Sequence, residues 1–371
     1  MKVVMTGGGT AGHVNPALSI AQILENGCPG STIRFIGTKR GLESKLVPKA
    51  GYPLYEIEVQ GLRRSLSPQN FKVLWQAYTS YMQCRKMLKE DRPDLVVGTG
   101  GYVSWPVCRA AASLGIPTAL HESNAEPGFA VKMLKGSADL IFINFADTAR
   151  FLKGSRAKIE HVGMPIHRDF TRIDPKEARA AVDPDGKYQR ILLSFGGSLG
   201  AARLNEAMLD FMATYMKEHP EVLLIHSAGS RGYAAMKEKF EAAGLADLEN
   251  VRLMEYIYDM PRQMVAADAV ICRSGASTLS ELTAIRKASI LIPSPNVTNN
   301  QQYKNAALLA DKGAALLLAD AELTGAKLCE LVNSLFADPD ALRKMEEEAG
   351  KFAVADTEEK ILKSLVALAN A

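Results

Sequence analysis

A chain of 371 residues has room for two domains at about 150 residues each. Its 47% hydrophobic and 23% charged residues exclude a disordered or fibrous protein, and a net charge of +3 excludes a surface built as a whole for nucleic acid. Five scattered cysteines without a CxxC argue against a disulfide framework or a zinc site and for a reducing, cytoplasmic compartment.

In chain order, residues 2–5 read as a strand that ends in Gly7-Gly8-Gly9-Thr10-Ala11-Gly12, and a helix is expected from about residue 16 to residue 24. Residues 32–36, 95–97, 118–120 and 140–143 read as further strands. The apolar stretch Val3-Val4-Met5 stops at Thr6-Gly7, too short for a secretory h-region, and no apolar run reaches the ~20 residues of a membrane span. The pattern then restarts. A strand at 191–195 ends in Gly196-Gly197-Ser198-Leu199-Gly200, and residues 223–225, 251–253, 269–271 and 289–292 continue the series. Continuous apolar strands with helices between them predict α/β architecture with parallel sheets covered on both faces. Gly163-Met164-Pro165 marks a boundary, giving domains over 1–162 and 163–350. A last helical pattern, with Ile361, Leu362, Leu365 and Leu368 on one face, lies within 351–371.

Three glycine-rich loops follow predicted strands. Gly7-x-Gly9-x-x-Gly12 matches the dinucleotide fingerprint, in which glycine lets the backbone approach a pyrophosphate at a helix N-terminus. The acid expected about 20 residues on is missing, because the second strand runs into Gly37-Thr38-Lys39-Arg40. Lys39 and Arg40 keep an NADP-dependent oxidoreductase open, while His13 stands where such a helix packs on its sheet. Gly98-Thr99-Gly100-Gly101-Tyr102-Val103-Ser104 and Gly196–Ala201 are the other two loops. Each alone is a tight turn. Together, at carboxyl ends of parallel strands, they predict a cleft between two domains that holds phosphorylated groups.

Gly8-Gly9-Thr10-Ala11-Gly12-His13-Val14-x-Pro16, the second loop, His121-Glu122-x-Asn124, Gly196-Gly197-Ser198-x-Gly200-Ala201, Cys272-Arg273-Ser274-Gly275-Ala276-x-Thr278-x-Ser280-Glu281 and Gln301-Gln302-Tyr303-x-Asn305-Ala306 occur in that order. This set resembles the MurG family of peptidoglycan N-acetylglucosaminyltransferases over residues 1 to about 310. The resemblance implies a GT-B fold of two Rossmann-like doubly wound domains facing a cleft, with a C-terminal helix returning to the first domain. It implies inverting transfer of GlcNAc from UDP-GlcNAc to the MurNAc 4-hydroxyl of undecaprenyl-pyrophosphoryl-MurNAc-pentapeptide (lipid I), giving lipid II, at the cytoplasmic face of the membrane. Other cell-wall and division proteins are implied partners, and nucleic acid is not. Another GT-B sugar transferase acting on a glycolipid, or a non-catalytic scaffold, remains open.

The resemblance also implies site roles. Glu281 would accept from the ribose hydroxyls of UDP, as a carboxylate can. Ala276, Ser277, Thr278, Leu279 and Ser280, on the helix leading to it, would meet the diphosphate with free amides and the helix dipole, and Ser198 with its loop would add donors. Ile257 matches the position whose backbone reads uracil, with core packing as the other reading. Gln301 and Gln302 would hold the sugar hydroxyls. The base on the acceptor hydroxyl is His13, or Glu122 as second choice, although His13 could equally be structural or a phosphate donor. Thr10, Ala11, Gly12 and Asn124 are expected near the donor, and Gly9, Gly100, Gly101, Tyr102 and Ser104 near the acceptor pyrophosphate. Departures from the family pattern are Ala11 for glycine, Ser123 and Leu199 for glutamine, and His167 for an arginine, with Arg168 one place on; either could reach the diphosphate. No DxD motif is present, so no tightly bound metal is expected, though free Mg²⁺ could neutralise phosphates.

From Arg63 to Lys89 there is no acid, while Phe71, Leu74, Trp75, Tyr78 and Met82 recur at helical spacing among Lys72, Arg85 and other cations. That predicts peripheral contact with an anionic membrane surface, against the alternative of a core helix with solvated flanks.

Overall fold

The computed structural model describes residues 1–60 and 69–371; the side chains of residues 69–74 lie outside that description. Among the described residues the chain divides into two compact units, residues 1–165 with 354–371, and residues 166–353.

The first unit carries β1 (Lys2–Thr6), β2 (Thr32–Gly37), β3 (Leu54–Glu56), β4 (Leu95–Gly98), β5 (Thr118–Glu122), β6 (Leu140–Ile143) and β7 (Lys158–His161), all parallel, in the order β3-β2-β1-β4-β5-β6-β7. Side chains alternate across a strand, and β1 shows the consequence. Val3 and Met5 enter a core with Ile20 and Leu24 of the helix Ala11–Gly27, whereas Val4 joins Leu88, Val96 and Val107 on the other face. Both faces are covered, which is why these strands read as unbroken apolar runs. Ile361 and Leu365 of the helix Thr357–Ala369 complete the first of these cores, both fully buried.

The second unit repeats the plan with β8 (Arg190–Phe195), β9 (Val222–Ser227), β10 (Val251–Met254), β11 (Ala269–Cys272), β12 (Ala288–Leu291) and β13 (Leu316–Leu317), in the order β10-β9-β8-β11-β12-β13. In each unit the chain first winds one way from its opening strand and then crosses to that strand's other side. The reversals fall between β1 and β4 and between β8 and β11. In open parallel sheets a switch of this kind leaves a crevice beyond the strand ends, where ligands bind.

Two features differ from the sequence expectation, and a third, the outward face of one helix, follows it. The first helix begins at Ala11, not near Pro16, so Pro16 sits inside it and Ala11, Gly12 and His13 form its opening turn. Proline commonly starts helices, but here the chain leaves the extended conformation after Thr10 and turns helical at Ala11, five residues earlier. The edge strands β3, β7 and β13 escaped notice because, at two to four residues with half-exposed side chains, they lack an apolar run. The helix Gln69–Asp91 is amphipathic with its aromatic row outward: Ser80, Cys84 and Leu88 are buried, whereas Trp75, Tyr78 and Met82 are exposed.

Candidate active site

At the switch point of the first unit, Thr6 pairs with Gly98, so the loops that leave β1 and β4 run side by side. Gly101 has φ +81°, and a Cβ there would collide with the Gly8 carbonyl. Only glycine permits both the backbone conformation and this approach. Gly100, at φ +102°, leaves room for the imidazole of His13, whose Cδ2 would lie 2.8 Å from an added Cβ. The ring of Tyr102 covers Gly9.

His13, half-buried in the first turn of its helix, has Nδ1 3.2 Å from the Gly8 carbonyl and 3.2 Å from Thr10 Oγ1. A carbonyl only accepts, so Nδ1 carries the proton and Nε2 presents its lone pair toward Gly100. Burial lowers the imidazole pKa; the Gly8 carbonyl and the charge of Glu43 act in the opposite sense. The Thr99 hydroxyl donates to the His13 carbonyl at 2.6 Å, tying the second loop to this turn. Thr10, Ala11 and Gly12 are exposed beside it.

Two expected ligand contacts turn inward. The Ser104 hydroxyl is buried and donates to the Gly100 carbonyl at 2.6 Å, so it locks the loop instead of facing a ligand. Glu122 is 4% exposed, and both its oxygens are engaged: Oε1 accepts from Asn124 N at 2.9 Å and Nδ2 at 3.0 Å, and Oε2 from Gly128 N at 2.7 Å. Burial raises its pKa while these bonds lower it. A carboxylate committed to three donors shapes the loop that carries Asn124, and it is badly placed to take a substrate proton. Neighbouring His121 is buried, donates Nε2–H to the Gly163 carbonyl at 2.9 Å, and is depressed to about 4 by desolvation, which keeps it neutral.

In the second unit the turn after β8 and the turn after β11 flank the other switch point. With Gly275, Ser294, Gln302 and Asp320 they enclose a cavity of about 500 Å³. One wall is stiffened by the Arg273–Asp320 ion pair at 2.6 Å, with both side chains largely buried. The helix Ala276–Ala284 starts here, and Ala276, Ser277 and Thr278 are half-buried at its mouth. Leu279 and Ser280 face the core instead, and Ser280 Oγ donates back to the Ala276 carbonyl at 3.0 Å. Glu281 is half-buried one turn into the helix; its carboxyl has no hydrogen-bond partner among the described residues, and desolvation raises its pKa to about 7.

Gln301 and Gln302 open the helix Gln301–Ala310 after two left-handed residues, Asn299 (φ +57°) and Asn300 (φ +52°). Gln302 Oε1 accepts from Ser294 N at 2.8 Å, which orients its amide NH₂. Ser198 is exposed, and its carbonyl receives the Ser230 N–H at 3.1 Å. Beside it a second cavity, about 540 Å³, reaches Glu255, Tyr256 and Tyr258. The Ile257 side chain between the two tyrosines is buried. His167 and Arg168 are exposed and line neither cavity; His167 Nδ1 accepts from Asp169 N at 3.3 Å.

On the helix Gln69–Asp91, Arg85 and Lys86 are exposed with Trp75, Tyr78 and Met82. Phe71, Lys72 and Leu74, named with them from the sequence, lie outside the described side chains, as do Arg63 and Arg64. Among the described residues no helix is long and apolar enough to cross a membrane, and no group of three or more His, Cys, Asp or Glu side chains could hold a metal.

Glu43 is a site neighbour that sequence reasoning missed. It contacts the first loop from 34 residues away, and no motif signals it.

Residues 3–143 match the glycosyltransferase family 28 N-terminal domain, and residues 191–361 match the glycosyltransferase family 28 C-terminal domain. The chain is 39% identical, over 98% of its length and 97% of the relative's, to a UDP-N-acetylglucosamine–N-acetylmuramyl-(pentapeptide) pyrophosphoryl-undecaprenol N-acetylglucosamine transferase of Desulforamulus reducens. It is 40% identical to the protein of that name from Desulforudis audaxviator, over 93% and 92% of the two chains. The crystal structure of Acinetobacter baumannii MurG superposes with a TM-score of 0.77 at 28% identity, covering 99% of both chains. A UDP-GlcNAc 2-epimerase from Neisseria meningitidis bound to UDP-GlcNAc, at 14% identity and a TM-score of 0.65 over 99% of this chain and all of that one, shares the fold. The fold class is GT-B, built from two Rossmann-like units. At this identity over nearly the whole length, the chain belongs to the MurG family of N-acetylglucosaminyltransferases.

Proposed function

We propose that this chain transfers GlcNAc from UDP-GlcNAc to the 4-hydroxyl of MurNAc in undecaprenyl-pyrophosphoryl-MurNAc-pentapeptide, with inversion at the anomeric carbon. Family membership supplies the reaction. The observation that carries it to named atoms is Glu281, a carboxylate without a partner one turn inside a helix whose free amides border a cavity. Two vicinal ribose hydroxyls would complete that carboxylate, and the amides of Ala276 to Thr278 would take the charge that grows on the departing diphosphate. Gln301 and the oriented amide of Gln302 are assigned to sugar hydroxyls, Ser198 and its loop to phosphate, and the Ile257 backbone to the base. Of the pair His167 and Arg168, only a guanidinium stays charged through the neutral range, so phosphate contact goes to Arg168.

The acceptor groups are assigned to the first unit. Nε2 of His13 takes the proton of the MurNAc hydroxyl, its oxygen bonds to the anomeric carbon, and the bond from that carbon to the diphosphate oxygen breaks, releasing UDP. Gly100 and Gly101 offer backbone donors near the acceptor pyrophosphate, Gly9 shapes that loop with its own N–H committed to Glu43, and Ala11 and Gly12 are assigned to the donor. No step calls on a resident metal. Free Mg²⁺ would act only by neutralising phosphates.

The oxidoreductase reading is not favoured. The fingerprint loop is filled by the Tyr102 ring over Gly9 and by His13, and the curated relatives are transferases. Incubation with radiolabelled UDP-GlcNAc and a short-chain lipid I analogue is expected to give labelled disaccharide and one UDP per transfer. UDP release without labelled disaccharide, or no turnover, overturns the reading.

We also propose peripheral attachment to an anionic leaflet, on its cytoplasmic face, through Trp75, Tyr78 and Met82 with Arg85 and Lys86. Trp75→Ala with Tyr78→Ala is expected to cut sedimentation with anionic vesicles several-fold, and about 0.5 M salt to release the unmodified protein, because screening then acts within about 4 Å. Equal sedimentation of variant and parent would exclude these residues.

A further inference from the structure

We infer that Glu43 is a positioning residue for the acceptor half of the reaction, its carboxylate holding the first glycine loop, and through it His13, in working register. The inference rests on the assignment of His13 as base.

Glu43 opens the short helix Glu43–Lys49 and is 1% exposed. Its Oε2 accepts the Gly9 N–H at 2.8 Å, and its Oε1 accepts the Thr38 N–H at 3.0 Å and the Thr38 hydroxyl at 2.7 Å. The β1–β2 ladder ends at Thr6 opposite Ile36, so this side chain continues the link between the two strands past the point where their backbones separate. The space is built for it. A Cβ on Gly8 would lie 2.6 Å from the carboxyl carbon, one on Gly37 would lie 2.7 Å from Cγ, and one on Gly41 would strike Oε2. Three glycines, one from the loop after β1 and two from the end of β2 and the turn that follows it, thus border one acid.

An acid is required there, because only a carboxylate accepts on both oxygens; the amide of glutamine would set its NH₂ against one of the N–H donors. Among the described residues Glu43 makes no ion pair, so its buried charge is held by neutral donors alone. That charge reaches His13, on which Glu43 is the charged group acting. The ring's other neighbours, the Gly8 carbonyl, the Thr10 hydroxyl and the Gly100 backbone, are uncharged. The carboxylate therefore favours the protonated imidazole and makes Nε2 a better base than burial alone would allow.

The test compares Glu43→Gln and Thr38→Val in the full chain. GlcNAc transfer, calorimetric titration with UDP and the NMR titration of His13 are measured on each. Glu43→Gln is expected to lower kcat roughly ten- to a hundred-fold, the scale of a misplaced catalytic group. UDP affinity and the KM for UDP-GlcNAc should stay within about twofold. The His13 titration and the acid limb of kcat/KM should both move to lower pH, a shift that a merely structural role would not produce. Thr38→Val, which keeps the Gly9 bond, should lose less. Wild-type kcat with an unmoved His13 titration overturns the inference, and so does a loss of UDP affinity equal to the loss of kcat. Should Glu43→Gln not fold, Thr38→Val decides: a modest kcat loss at unchanged donor KM supports the inference, and parental kinetics overturn it. If the parent itself fails to transfer GlcNAc, the proposed function falls, while the His13 titration still reports the grip of Glu43 on the loop.

Discussion

His13→Ala should lower kcat for GlcNAc transfer about 10²- to 10⁴-fold, the range for losing a general base, while the KM for UDP-GlcNAc stays nearly constant. The expectation follows from the tautomer. With the Nδ1 proton directed at the Gly8 carbonyl, Nε2 is left as an acceptor, and the Thr99 bond to the His13 carbonyl fixes where it points. Burial depresses the imidazole pKa. The base is then active when neutral, and the acid limb of the parent's kcat/KM profile should lie below the ordinary histidine value of about 6.5. An alanine variant with the parent's kcat would remove His13 from the chemistry. So would a variant whose deficit lies wholly in donor KM, which would make it a phosphate contact.

The second large effect is expected at Glu281. Its pKa near 7 comes from desolvation, so the empty site holds a carboxyl that is protonated about half the time near neutrality. Two ribose hydroxyls donate to the charged form and favour it. UDP binding should therefore release protons near neutral pH and weaken as pH falls from about 8 to 6. Glu281→Gln should bind UDP roughly ten- to a hundred-fold more weakly at about pH 8, the scale of lost hydrogen bonds to a charged group, and should lose that pH dependence. Stability responds in the opposite sense. A carboxyl whose folded pKa lies above its unfolded value destabilises the fold as pH rises through the interval between them, from about 4.5 to about 7. Without ligand, Glu281→Gln should therefore melt above the parent in mildly alkaline buffer and not in acid. Calorimetry with UDP at both ends of the range, with thermal melts of the empty protein, checks both halves. Parental UDP affinity in the variant would move the ribose contact to another residue.

The loops themselves were plain in the chain, because a backbone that must turn sharply at a strand end announces itself through glycine, and Gly100 and Gly101 are needed at the positive φ values they adopt. Unbroken apolar stretches gave away the buried strands for a comparable reason: a strand covered on both faces has no polar side to show. Legibility stopped where a side chain could turn either way. Ser104 read as part of a loop meeting the acceptor pyrophosphate and Glu122 as the second-choice base, yet the one is spent on a loop carbonyl and the other on loop amides. Leu279 and Ser280 share a motif with Glu281, but the helical screw turns them to the core.

Strand period and ordered glycine turns were enough to write down two parallel-sheet units, because a strand buried on both faces and a tight turn each leave a local residue pattern, while the chemistry was implied by the resemblance of six ordered motifs to a family. Which lone pairs stay open was settled by folding. Glu43 reaches Gly9 across 34 positions, and Asp320 braces Arg273 across 47. An acceptor of that kind leaves no periodic trace; its partner is chosen by where the sheet sets two distant turns, and the cost of leaving a buried polar group unmet then holds the pair together.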